Sequence, residues 1–98
     1  MSETSCRIDV WLWRARFAKS RSLAAAMVER GAVRLTHHGV QTRLDKPSRS
    51  VHVGDGLVFA LGGRLVELEV IGLGERRGPP EEARALYSAV EREPPTGG

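Results

Sequence analysis

The stretch RIDVWLWRARFAKSRSLAAAMVERGAV, residues 7–33, decides how the rest of the chain is read, because it combines two tryptophans and six basic side chains with only two acids. From Ile8 the apolar positions Ile8, Trp11, Leu12, Ala15 and Ala18 follow the i, i+3, i+4, i+7 spacing of one helical face, which predicts a first helix over residues 8–18. A second stripe, Val10, Trp13 and Phe17, lies on the opposite side. It leaves charge to the two flanks, Arg7 and Arg14 on one, Asp9 and Arg16 on the other, and such a stripe needs a cover. KSRS at 19–22 breaks the pattern and places Ser20 or Ser22 to accept a bond from a free backbone N–H. A second helix is expected over 21–30, with Leu23, Ala26, Met27 and the stem of Arg30 on the core side. Gly31 ends it in the left-handed conformation. Two short helices joined so tightly must cross steeply.

After Gly31 the period changes. AVRLT, SVHV, LVFAL and RLVELEVIGL read as short strands, separated by turns at His38-Gly39, Gly54-Asp55 and Gly62-Gly63, the last a tight hairpin. These predict an antiparallel sheet of three to five strands under the helix pair. GPPEEARALYSAVERE opens with proline and acids, as helix N-termini do, and carries Ala83, Leu86, Tyr87 and Val90 at helical spacing. A third helix over 80–91 is expected to cover the Val10, Trp13, Phe17 stripe. The fold class is therefore α+β in one small domain: residues 1–6 a flexible N-terminus, 7–78 the binding domain, 79–93 a C-terminal helix packed on it, and 94–98 a disordered tail.

Composition narrows the setting. Hydrophobic content of 41% and charged content of 28% suit a folded chain. No apolar run approaches a bilayer span, MSETSCRIDV lacks the layout of a secretory signal, and the single Cys6 permits no internal disulfide. A reducing cytoplasm is the expected location.

Catalytic chemistry is hard to assemble. Cys6 stands alone, and His37-His38 falls in a predicted turn with no third histidine or cysteine to complete a tetrahedral metal set. His52 reads as a strand residue. Glu67 and Glu69 make only a weak acid/base pair. Glycines 54, 56, 62 and 63 punctuate strands rather than open a helix, so no phosphate-cradling nucleotide loop forms. No enzyme activity, metal or cofactor is expected.

The charge distribution says more. Residues 7–49 hold ten basic side chains (Arg7, Arg14, Arg16, Lys19, Arg21, Arg30, Arg34, Arg43, Lys46, Arg49) against three acids, whereas the later half is net acidic. A basic half beside an acidic half suits a polyanion meeting one face. Arginine's planar fork binds phosphate oxygens in pairs, and the start of the second helix at Ser20 offers free N–H groups. Arg14, Arg16, Lys19, Arg21 and Arg34 fall within about twenty residues, so the fold can gather these charges on one side.

The ordered features RIDVWLW, SRSLAAAMVERGAVRL, HHGVQT, KPS and VHVGDGLVF, over about residues 7–60, resemble the small RNA-binding domain named after ribosomal protein S-four, the alpha-L motif. Within that superfamily the Trp-x-Trp of DVWLWRARFAKSRS, the DKPS at 45–48 and the later ERRGPPEEARALY are similar to the ribosome-associated fifteen-kilodalton heat-shock protein family. The resemblance implies a bacterial, non-catalytic protein that binds structured ribosomal RNA, and, carried over by position, Arg7, Arg14, Arg16, Lys19, Ser20, Arg21, Arg34, Arg43, Lys46 and Arg49 would face it. It further implies association with the large ribosomal subunit, in this family free subunits still carrying a nascent chain. A monomer with no membrane partner is expected. Departures from the family pattern are Val10 in place of a frequent lysine, His38-Gly39 in place of Asn-Gly, and EPPTGG where some members run on into a longer basic tail. Two other readings fit parts of the sequence. One is a helix-turn-helix DNA binder, disfavoured by a second helix rich in Leu and Ala. The other is a protein-interaction or chaperone-like module that leaves the Val10, Trp13, Phe17 stripe open.

Overall fold

The computed structural model describes residues 5–90. Strand β1 (Ser5–Arg7) leads directly into helix α1 (Ile8–Arg14), and helix α2 (Arg21–Glu29) follows after a compact turn. Then come β2 (Val33–His37), β3 (Val40–Arg43), β4 (Ser50–His52), β5 (Gly56–Leu61), β6 (Arg64–Val70), the short helix α3 (Pro80–Arg84) and β7 (Tyr87–Ala89). Five strands form one antiparallel sheet in the order β3-β2-β5-β6-β7, and β1 pairs with β4 in a separate two-stranded ladder. This is the expected α+β architecture, with the two N-terminal helices on an antiparallel sheet.

The predicted stripe of α1 is the core: Ile8, Trp11 and Leu12 are fully buried, and Ala15 and Ala18 nearly so. The helix itself is shorter than its periodicity suggests. It stops at Arg14, and Arg16 takes the left-handed conformation (φ 65°) in a position where glycine is usual. Arg16 N–H donates to Trp13 O (3.1 Å) and Phe17 N–H to Leu12 O (2.9 Å), the paired bonds that close a helix end and satisfy its last carbonyls. Apolar spacing runs on past the break because this turn keeps Ala15 and Ala18 inside.

Helix α2 is capped as expected: Ser20 Oγ accepts from Leu23 N–H (3.1 Å), and Gly31 (φ 77°) closes the far end. Its buried face is set one residue on from the expected one. Ala24, Met27 and Val28 are buried, whereas Leu23 is 53% exposed and Ala26 and Arg30 face solvent. This rotation buries the small Ala24 and the β-branched Val28.

Sheet residues alternate as a one-sided sheet requires, with Val33, Leu35, Leu57, Phe59, Leu68 and Val70 inward. Both tight hairpins place two residues at positive φ, His38-Gly39 (50°, 79°) and Gly62-Gly63 (59°, 80°), matching the right-handed twist of the strands they join. Strands β1, β3 and β7 carry too few alternating residues to announce themselves.

The expected helix over 80–91 is five residues long. Beyond it, residues 87–89 pair with β6 at Leu68↔Ala89, Glu69↔Ser88 and Val70↔Tyr87, because an open β6 edge has backbone groups to satisfy. Residue 91 and the expected tail lie outside the described residues. The cover over the second stripe of α1 accordingly comes from a strand: Phe17 sits 4.7 Å from the Tyr87 ring, 5.0 Å from Phe59 and 6.1 Å from Trp11. Val10 and Trp13 remain part-exposed.

Phe17→Ala should remove this aromatic junction and cost about 2–3 kcal/mol, less than for a fully buried phenylalanine. Urea denaturation measures it; a loss under about 1 kcal/mol would mean that Tyr87 and Phe59 close over the gap.

Candidate nucleic-acid interface

Ten residues were expected to face RNA, and the fold treats them in three ways. Arg14 turns inward. Its Nη1 donates to Gly74 O (2.9 Å) and Leu73 O (3.4 Å), and its Nε is buried without a hydrogen-bond partner. Arg7 forms a two-pronged pair with the buried Asp9 carboxylate (3.1 and 3.0 Å) while its side chain stays half exposed. Arg16 gives its Nε–H to Gly78 O (2.7 Å) yet remains exposed. These three support the structure, and no periodicity argument separates such an arginine from a surface one.

The others stand in two groups. At the junction of α1 and α2, Lys19 and Arg21 are exposed beside Arg16, and Ser20 caps the nine-residue α2. At the other end of α2, about 14 Å away along its axis, lies a second group built by β2, β3 and the loop over 44–49. Arg34 of β2 stands directly opposite Arg43 of β3 in the ladder, so both side chains project from the same, outer face. Both are exposed, and among the described residues no carboxylate lies within ion-pairing distance of either guanidinium. Arg43 also lies against Gly31, where an added Cβ would come within 3.4 Å of its Cδ. Arg43, Lys46, Ser48 and Arg49 then line a cavity of about 120 Å³ closed by Thr42, Leu44 and Asp45. The loop is anchored to the start of α1, since Ile8 N–H donates to Arg49 O (2.8 Å) and Asp9 N–H to Pro47 O (3.3 Å).

The outer sheet face is thus polarised. Across one row Arg43, Arg34, Val58 and Glu67 follow one another, so β3 and β2 end the row in positive charge and β6 in negative. Like charges directly opposed across strands are unfavourable. Such a pair is tolerable where an anion neutralises it.

A family model for the S4 domain matches residues 6–35, the segment from β1 through α1 and α2 into β2. The solved heat shock protein 15 of Vibrio cholerae, described as trimeric, superposes with a TM-score of 0.78 at 36% identity, covering 88% of this chain and 82% of that one. This chain belongs to the heat shock protein 15 family of S4-domain proteins. A heat shock protein 15 homolog of Haemophilus influenzae is 41% identical over 91 residues, and the chain spans 66% of that relative's length. An RQC P-site tRNA stabilizing factor of Listeria monocytogenes is 31% identical over 90 residues, covering 92% of this chain and 91% of that protein. No helix among the described residues is long and apolar enough to cross a membrane.

The Arg34–Arg43 opposition makes stability and binding separable in this heat shock protein 15 family member. Arg34→Glu should create a cross-strand ion pair and raise stability by about 0.2–1 kcal/mol while weakening anion binding. Thermal melts beside a heparin or RNA retention assay measure both. A variant losing both properties would show that Arg34 has a structural task instead.

Proposed function

We propose that this chain is a non-catalytic protein that binds structured RNA of the ribosome, with the large subunit as its partner in the bacterial cytoplasm. The observation that carries this reading is the Arg34–Arg43 pair, without a carboxylate partner among the described residues, running into the basic cavity of Arg43, Lys46 and Arg49, with Arg16, Lys19 and Arg21 forming a second contact at the α1–α2 junction. Two basic clusters separated by one short helix suit a folded RNA, whose phosphates converge from more than one strand, and recognition is then by shape and phosphate contact. The names of the relatives, a heat shock protein 15 homolog and an RQC P-site tRNA stabilizing factor, support a ribosomal setting. Ser20 contributes through the α2 terminus, and Arg7 through the exposed part of its side chain. Arg14 acts indirectly, by holding residues 73 and 74 against α1. The chaperone-like reading has less apolar surface than it needs, because Phe17 is enclosed by Tyr87 and Phe59.

Co-sedimentation with separated ribosomal subunits over a salt series, with duplex DNA as competitor, tests the proposal. Retention on the large subunit should fall with salt at a log–log slope of roughly −3 to −4 if about five phosphates are neutralised. Arg21→Ala and Arg43→Ala should each weaken retention, whereas Arg84→Ala on α3 should change little. Equal losses from all three would remove the assigned surface, and displacement by DNA would favour the helix-turn-helix reading. Sedimentation equilibrium of the free protein decides between the expected monomer and the trimer described for the Vibrio relative.

A further inference from the structure

The cluster of titratable side chains outside the basic groups lies where β2, β4 and the turn before β5 meet. His37 is the last residue of β2, His52 the last of β4, and Asp55 sits in the turn between β4 and β5. Pairing of Thr36 with Gly56 brings His37 beside Asp55, and the turn bond from Asp55 N–H to His52 O (3.0 Å) brings His52 beside it from the other side. The Asp55 carboxylate is buried, and its two oxygens divide between the imidazoles. His37 Nδ1 lies 2.5 Å from Oδ1, and His52 Nδ1 lies 3.6 Å from Oδ2. Oδ2 also accepts the His52 backbone N–H (2.8 Å), which fixes the carboxylate's orientation independently of either ring. One potential ligand atom from each of the three residues lies within 4.8 Å of the others, and this is the sole such grouping of His, Cys, Asp and Glu among the described residues.

A buried carboxylate faced by two imidazole nitrogens needs a cation or a proton between its partners. We propose that His37, His52 and Asp55 form a Zn²⁺ site that takes Nδ1 of each histidine and the Asp55 carboxylate, whose Oδ1 faces His37 and Oδ2 faces His52, with water completing the coordination. Two imidazoles with one carboxylate are donors for zinc rather than for calcium or magnesium, which take oxygen ligands. Bonds of about 2.0–2.2 Å in tetrahedral array hold donor atoms roughly 3.4 Å apart. The His52–Asp55 separation of 3.6 Å already fits. The His37 ring has to swing outward by roughly 1 Å to reach that spacing, and its side chain is 39% exposed. The His38 ring lies against His37 with centroids 4.0 Å apart, but His38 is not one of the three ligands. A bound ion would tie the end of β2, in the five-stranded sheet, to the end of β4, in the β1–β4 ladder, and so join the two sheets at a point the backbone ladders do not.

The test is calorimetric titration of ZnCl₂ into the full, untagged chain after dialysis against chelator, paired with thermal melts with and without the metal. One ion per chain is expected, with an increase in Tm on binding and weaker binding at pH 5.5 than at pH 7.5, because the ligands must shed protons. His37→Ala and His52→Ala should each weaken affinity at least tenfold, whereas His38→Ala should bind as the parent does. All three histidines are part-exposed or exposed, so these variants should keep the fold, which circular dichroism verifies. The proposal is overturned if the parent takes up no zinc, or if the His37→Ala/His52→Ala double variant binds as tightly as the parent. An effect confined to His38→Ala would overturn it as well.

Discussion

The segment over 72–78 has no regular structure of its own, and everything between the helix pair and the last strand depends on how its carbonyls are satisfied. Buried backbone oxygens without partners are costly, so an irregular segment packed on a core must borrow donors. Here α1 and the turn after it lend them. Trp11 Nε1–H donates to Gly72 O (2.8 Å), Arg14 Nη1 to Gly74 O (2.9 Å) and Arg16 Nε to Gly78 O (2.7 Å). Arg77 returns the exchange by donating to Trp13 O (3.2 Å), near the end of α1. These side-chain bonds join the first helix to the chain some sixty residues later and set where β7 meets β6. The left-handed Arg16 belongs to the same arrangement: a residue other than glycine is strained there, but glycine could not reach Gly78.

The basic half of the chain therefore performs two jobs that composition alone cannot distinguish. Arg7 and Arg14 are fasteners, and Arg16 is a fastener with its remaining donors exposed. Arg34 and Arg43 behave oppositely, since they face each other across a ladder with no carboxylate in reach among the described residues and would be better placed apart if folding were the only requirement. A residue that costs stability where it stands is a stronger sign of a partner than a residue that merely happens to be charged.

Much of this was legible in sequence wherever local periodicity and tertiary packing agree. The stripe Ile8, Trp11, Leu12, Ala15, Ala18 is buried throughout, and the Ser20 cap, the Gly31 stop and the turn positions follow from local backbone chemistry. What was not legible is what depends on distant partners. No glycine or proline marks the end of α1, because the turn is held by Arg16 and its bond to Gly78. The helical spacing of Ala83, Leu86, Tyr87 and Val90 is genuine, yet β6 offers an unpaired edge and Tyr87–Ala89 fill it. Leu23 and Ala24 differ by one residue in phase, and only the approach of α1 chooses between them.

The same limit applies to the candidate site. Charge asymmetry points to the basic half, but opposition of Arg34 and Arg43 requires the β2–β3 register, and β3 itself carries no strong strand signal. That register comes from the two-residue turn at His38-Gly39: moving the pairing by one residue would send Arg43 to the opposite face and break its apposition with Arg34. The tip of this hairpin thus controls the charge pattern at its base. His38, at positive φ, holds the turn, and the neighbouring His37 meets the buried Asp55, so the hairpin end of the strand bearing Arg34 is fixed by side chains that carry none of the binding charge.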